Sequence, residues 1–160
     1  MFRMLAIPLL SGCLAEPPDG EALASALTTR GGCGDLVVYA ASADHTLLLR
    51  VDAPGLVAEA REAGTSVFRT VTLPDPAVTV LLDQGGSVDD AICDDVIENG
   101  GPQVRRTLEA VSGTAMVTVR PDGEGRADVQ LTDVGLEGDG GAVTLPAFSW
   151  TDVAVGWLPG

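Results

Sequence analysis

Apolar and polar residues alternate with a period of two through most of the chain after Gly34. Leu36, Val38 and Ala40 fall on one face, Val37 and Tyr39 on the other. Leu47, Leu49 and Val51 alternate with Leu48, Arg50 and Asp52, and the Ser42–His45 turn between the two runs makes them a hairpin. The same pattern returns in Val67–Leu73, Val78–Leu82, Val104–Val111, Ala115–Arg120, Ala127–Thr132, Val143–Trp150 and Val153–Trp157. Turn chemistry separates the runs: Pro74-Asp75-Pro76, Gly85-Gly86-Ser87, Ser112-Gly113, Pro121–Gly125 and Glu137–Gly141. One segment breaks the period. Pro54–Ala63 is rich in helix formers and ends at Gly64, a natural C-terminal stop, so it predicts a short helix near 54–63.

About eight short strands with turns every 8–12 residues predict an all-β protein, an antiparallel β-sandwich of Ig-like or Greek-key type. Residues 31–160 form that domain. Residues 13–30, with the polar stretch Ala15–Gly20, read as a linker. Glu21–Thr29 has some apolar periodicity but no firm cap, and is expected to be loose.

Composition narrows the function classes. At 160 residues and 46% hydrophobic content the chain is one domain with a real core. It has 23 acidic residues, nine Arg, no Lys and a formal charge of −14. Nucleic acid is therefore excluded as a partner, since phosphate recognition needs basic patches. Electrostatic docking on an anionic bilayer is excluded on the same ground. No apolar run reaches the roughly 20 residues that span a membrane as a helix.

The amino terminus carries the clearest motif. Arg3 precedes the apolar run Leu5–Leu10, and Leu10-Ser11-Gly12-Cys13 follows. This resembles the lipobox of bacterial lipoproteins. The resemblance implies that residues 1–12 are a signal peptide, that cleavage falls before Cys13, and that its sulfur carries the lipid anchor, in a mature chain of charge −15. Leu14 rather than Asp follows the cysteine, which by that resemblance directs the protein to the outer membrane. With the linker and β domain, the layout is similar to the small Ig-like lipoproteins of Gram-negative bacteria. That likeness brings no site residues.

With Cys13 lipidated, Cys33 and Cys93 remain. An exported chain with two cysteines reads as one disulfide, expected to bridge two packed sheets; free thiols are the alternative. No CxxC occurs and no His neighbours either residue, which argues against zinc.

Three further groups invite a chemical reading. The acidic stretch 83–99 holds Asp83, Asp89, Asp90, Asp94, Asp95 and Glu98. Ca²⁺ takes six to eight oxygens from such loops, so Asp89, Asp90, Asp94, Asp95 and Glu98 are the candidate ligands, although the spacing is not that of an EF-hand and a solvated loop is the plainer reading. Asp122, Glu124, Glu137 and Asp139 would make a second acidic patch if their loops share one end. His45 is the only histidine; with no G-x-S-x-G elbow it reads as an exposed turn residue rather than a catalytic base. Trp150 and Trp157 read as core. No Gly-rich loop opens a helix in a βαβ unit, so nucleotide binding has no support.

The expectation is a non-enzymatic envelope lipoprotein that presents a β domain to a protein or glycan partner and needs no cofactor. The alternative is a calcium-dependent adhesion or carbohydrate-binding module using the acidic loop.

Overall fold

A computed structural model describes residues 18–94 and 100–157. The described residues are mostly antiparallel β structure with two short helices. In chain order the elements are α1 (Gly20–Ala26), β1 (Leu27–Cys33), β2 (Val37–Ser42), β3 (Leu47–Asp52), α2 (Leu56–Ala63), β4 (Val67–Thr72), β5 (Thr79–Gly86), β6 (Gln103–Arg120), β7 (Arg126–Gly138) and β8 (Gly141–Ala154).

All eight strands belong to one sheet, ordered β1-β2-β3-β5-β6-β7-β8, with β4 paired to the second half of β6. Chain neighbours pair almost throughout, so the connectivity is a meander with one displaced strand. A Greek key would instead return a strand beside the first. The sheet curls until β8 meets β1, and its two halves face each other across a single core that includes Leu49, Leu82, Leu108, Leu131, Leu136 and Trp150. At this seam Arg30 Nη1 donates to the Ser149 carbonyl at 2.7 Å, and Gly34 N to that of Trp157 at 2.8 Å. Trp150 is buried as expected, and its Nε1–H donates to the Tyr39 carbonyl at 2.8 Å.

The sheet bends at one level across three strands. In β6 the inward residues are Arg106, Leu108 and Ala110, then Ala115, Val117 and Val119. In β7 they are Ala127, Val129 and Leu131, then Val134 and Leu136. In β8 they are Val143 and Leu145, then Phe148 and Trp150. Each set switches between odd and even numbers, and the switches are aligned, since Leu131 pairs with Phe148 and Val134 with Leu145. A regular strand would turn its second half inside out. Positive φ at Gly113 (110°) and Asp133 (50°), with irregular pairing around Ser112, resets the inward face. Ser112-Gly113, expected as a turn between two strands, is therefore a bend within one strand of 18 residues. The expected 143–150 and 153–157 strands are likewise joined as far as Ala154.

The boundary expected at residue 31 is corrected. Residues 20–30 belong to the folded body rather than to a linker. Asp19, in the turn-like Pro-Asp-Gly, caps α1 by accepting from Ala22 N at 2.9 Å. Leu23 and Leu27, one helical turn apart, are 0% and 2% exposed. The helix lies along the first half of the free edge of β8, and β1 along the second half, which covers an otherwise open strand edge.

Helix α2 forms where the sequence predicts it. Its leading N–H groups are capped from a distance: the Asp35 carboxylate accepts from Gly55 N at 2.6 Å and Ala58 N at 3.1 Å. Gly64, at φ 62°, ends it. Leu56, Val57 and Ala60 close the core beneath the β6–β7 hairpin.

Candidate functional site

The outward face of β1, β2, β3, β5 and β6 is partly covered by the chain that leaves β5. Outward positions alternate with core positions, and the register places Ala41, Leu48, Asp83 and Thr107 in one row and Tyr39, Arg50, Leu81 and Glu109 in the next. Residues 87–94 cross this face as a strap. Val88 packs on Ala41 and Leu48 in a small second core, with Tyr39 and Ile92 at its margin. The strap ends at Cys93, which is bonded to Cys33 with 5.5 Å between the Cα atoms. The two expected cysteines are thus joined, but the bridge does not tie one sheet layer to another. It fastens a loop over the outer face of the layer that contains β1.

The start of the strap is pinned to the β2–β3 turn. Val88 N donates to the His45 carbonyl at 3.0 Å and Gly85 N to the Thr46 carbonyl at 3.0 Å. His45 Nδ1 lies 3.0 and 2.9 Å from the two Asp89 carboxylate oxygens. The hydrogen bond to Asp89, and then its charge, hold the imidazole pKa above its ordinary value. Beside it, Asp44 accepts from Ser42 Oγ at 2.6 Å and Thr46 Oγ1 at 2.8 Å, and these bonds, Ser42 first, lower its pKa. His45 is the exposed turn residue expected, at 60% side-chain exposure. Its acid partner is Asp89, 44 residues away, rather than neighbouring Asp44.

Beneath and beside the strap runs a polar row of which the sequence marks only Asp83, as part of the acidic stretch. Asp83 is 6% exposed and accepts from Thr107 Oγ1 at 2.5 Å. Arg50 Nε is 3.8 Å from Asp83 Oδ2 and 4.0 Å from Asp52 Oδ2. Burial raises the Asp52 pKa, and Arg50 opposes the rise. The outward polar positions in Leu48-Leu49-Arg50-Val51-Asp52 were the available signal, because a charge there must find a partner once the face is covered.

The expected calcium ligands divide. Asp89 is engaged by His45, and Asp90 N bonds the Ser87 carbonyl in a turn of the strap. Asp94 follows the disulfide; Asp95 and Glu98 lie outside the described residues, as does Cys13. Among the described residues no three of His, Cys, Asp and Glu are gathered as a metal shell. The other expected patch is corrected. Asp122 and Glu124 sit in the β6–β7 hairpin, Glu137 and Asp139 at the β7–β8 hairpin, so the pairs occupy opposite ends of β7.

Two other features complete the surface. Near the β6–β7 hairpin, Arg120 donates to Asp128 through Nη1 and to Asp152 through Nη2, the latter at 2.9 Å. The Arg120 hydrogen bond lowers the Asp128 pKa. Along the seam, a groove of about 540 Å³ is lined by Arg30, Gly31, Tyr39, Asp152 and half-buried Trp157, among others. Arg30 stacks 4.7 Å from the Phe148 ring centroid. The linker expectation hid Arg30 from the sequence reading.

No protein-family model, curated protein or solved structure matches the chain.

Proposed function

We propose that this protein is a non-enzymatic lipoprotein of the cell envelope, anchored through lipid on Cys13, with its strapped β domain presented to a protein or glycan partner. The observation that carries this reading is the cysteine pairing. The Cys33–Cys93 bond uses two of the three cysteines and suits an oxidising compartment. The remaining cysteine stands in Leu10-Ser11-Gly12-Cys13, ahead of the first capped helix. No described helix is long and apolar enough to cross a membrane. Leu14 after the cysteine favours the outer membrane.

The test is the intact mass of the protein from the membrane fraction, with and without reductant. The expected mass is that of residues 13–160 plus acyl lipid, rising by two hydrogens on reduction. An unprocessed chain with three free thiols overturns the proposal.

A second reading, carbohydrate binding, is favoured by the seam groove. Tyr39 and Trp157 offer ring surfaces, while Arg30 and Asp152 offer planar hydrogen-bonding groups suited to sugar hydroxyls. Retention on a glycan array that is lost in Trp157→Ala supports it; no retention of the native protein removes it. Calcium dependence would appear as a melting temperature raised by millimolar Ca²⁺ and lowered by EDTA, and an unchanged melting temperature removes that part.

A further inference from the structure

We infer that the domain stands on the bilayer in one polarity, with the β7–β8 hairpin end toward the lipid headgroups and the α2 and β6–β7 hairpin end outward. The inference rests on the lipid anchor proposed above. It follows from the length of chain between the anchor and the point where the fold begins.

From Cys13 to Asp19 is six residues, and six residues span at most about 20 Å when fully extended. Asp19 is the cap of α1, and the next residue, Gly20, lies so close to the Thr144 carbonyl that a Cβ there would overlap it. The anchor chain therefore joins the fold three residues past the start of β8 at Gly141, beside the β7–β8 hairpin. The β2–β3 turn lies at the same end, because Leu47 pairs with Gln84 and Gln84 with Arg106, and the Arg106 guanidinium lies against Gly140. From Thr144 the strand runs ten residues to Ala154, a contour of about 30 Å at the rise of a β-strand that the bend after Leu145 shortens as a straight line. Beyond it come the β6–β7 hairpin, joined through the Val155 N to Gly125 carbonyl bond, and α2, whose Arg61 donates to the Glu124 and Gly156 carbonyls. An inverted domain would hold its attachment point above the headgroups by the bent strand together with the β6–β7 hairpin and α2 beyond it, more than the roughly 20 Å the chain can reach. The far end is thus barred from the bilayer by covalent length alone.

The near end has no electrostatic reason to adhere. Asp44, Asp89, Asp90, Glu137 and Asp139 lie at or beside its loops, and an anionic surface repels them. The tether alone sets the polarity.

The test uses the full lipidated protein in phosphatidylcholine–phosphatidylglycerol vesicles carrying a headgroup-attached quencher. A fluorophore is placed at Asp139→Cys or at Asp122→Cys, one per variant. The label at 139 is expected to lose the larger share of its emission. A Gly-Ser insert after Cys13 that lengthens the reach past about 50 Å is expected to erase the difference. Equal quenching at the two positions without the insert, or deeper quenching at 122, overturns the polarity. Mass spectrometry of the same sample separates the two levels: acylated protein with equal quenching defeats the polarity alone, and protein without acyl mass defeats the anchor and the polarity with it.

Discussion

His45 Nδ1 lies 2.9 Å from Asp89 Oδ2, and this contact ties the β2–β3 turn to the first residues of the strap. The imidazole is otherwise exposed, so its titration reports the carboxylate more than burial. Asp89→Asn is expected to bring the His45 pKa down toward about 6.5. As the only histidine, it gives one set of imidazole signals in an NMR titration, and an unmoved pKa would count against the pairing. The folded pKa is raised, so the stabilisation is fully present below the unfolded value and is lost as pH climbs through the folded one.

Reduction should loosen the strap without dissolving the sheet. The disulfide closes a 60-residue separation, worth about 4 kcal/mol on chain-entropy grounds. Cys33→Ala is expected to cost about 2–5 kcal/mol in denaturant unfolding and to leave Cys93 open to a thiol probe. Two reactive thiols in the unreduced native protein would refute the pairing.

The segment before β1 distinguishes a linker from a structural element. Leu23 is fully buried against the core, so Leu23→Ala is expected to lose about 2–5 kcal/mol. A linker residue would lose nothing measurable. Thermal unfolding of the two proteins side by side decides it.

Gly113 offers a test of the bend. Its φ is 110°, and a Cβ there would sit 2.7 Å from the Asp133 carbonyl oxygen. Gly113→Ala is expected to destabilise by about 1–3 kcal/mol, while Gly123→Ala, in the open β6–β7 hairpin, is expected to cost less. Equal melting temperatures for the two variants would mean the bend is not constrained at this residue.

The β class and α2 were legible because alternation over six residues and a Gly-terminated run of helix formers are local signals. Several boundaries were not. Ser112-Gly113 looks like a turn in sequence, and only the matching breaks at Asp133 and Pro146 show that three strands bend together. Residues 20–30 looked like a linker because Asp19 reads equally well as a turn residue or a helix cap, and only the burial of Leu23 and Leu27 decides between them. At the site, the sequence marked the two cysteines and the acids. It carried no sign that Asp89 meets His45, and the outward charges at Arg50 and Asp52 signalled only that a partner was needed, not that Asp83 on a separate strand would supply it. The sequence shows nine alternating runs where the fold has eight strands: β1 was missed, while β6 and the chain's last strand were each counted as two.

The shared bend also means that part of this shape is written in chain length rather than in residue type. Deleting one residue at Gly113 would shift Ala115, Val117 and Val119 by one place and turn all three from core to solvent, though no apolar residue had been lost. The hairpin at 121–125, beyond the last paired residues of β6 and β7, imposes no such arithmetic. Homologous or engineered chains of this shape should therefore differ freely in length at that hairpin and keep a fixed count at the bend, where β6, β7 and β8 would have to change length in step.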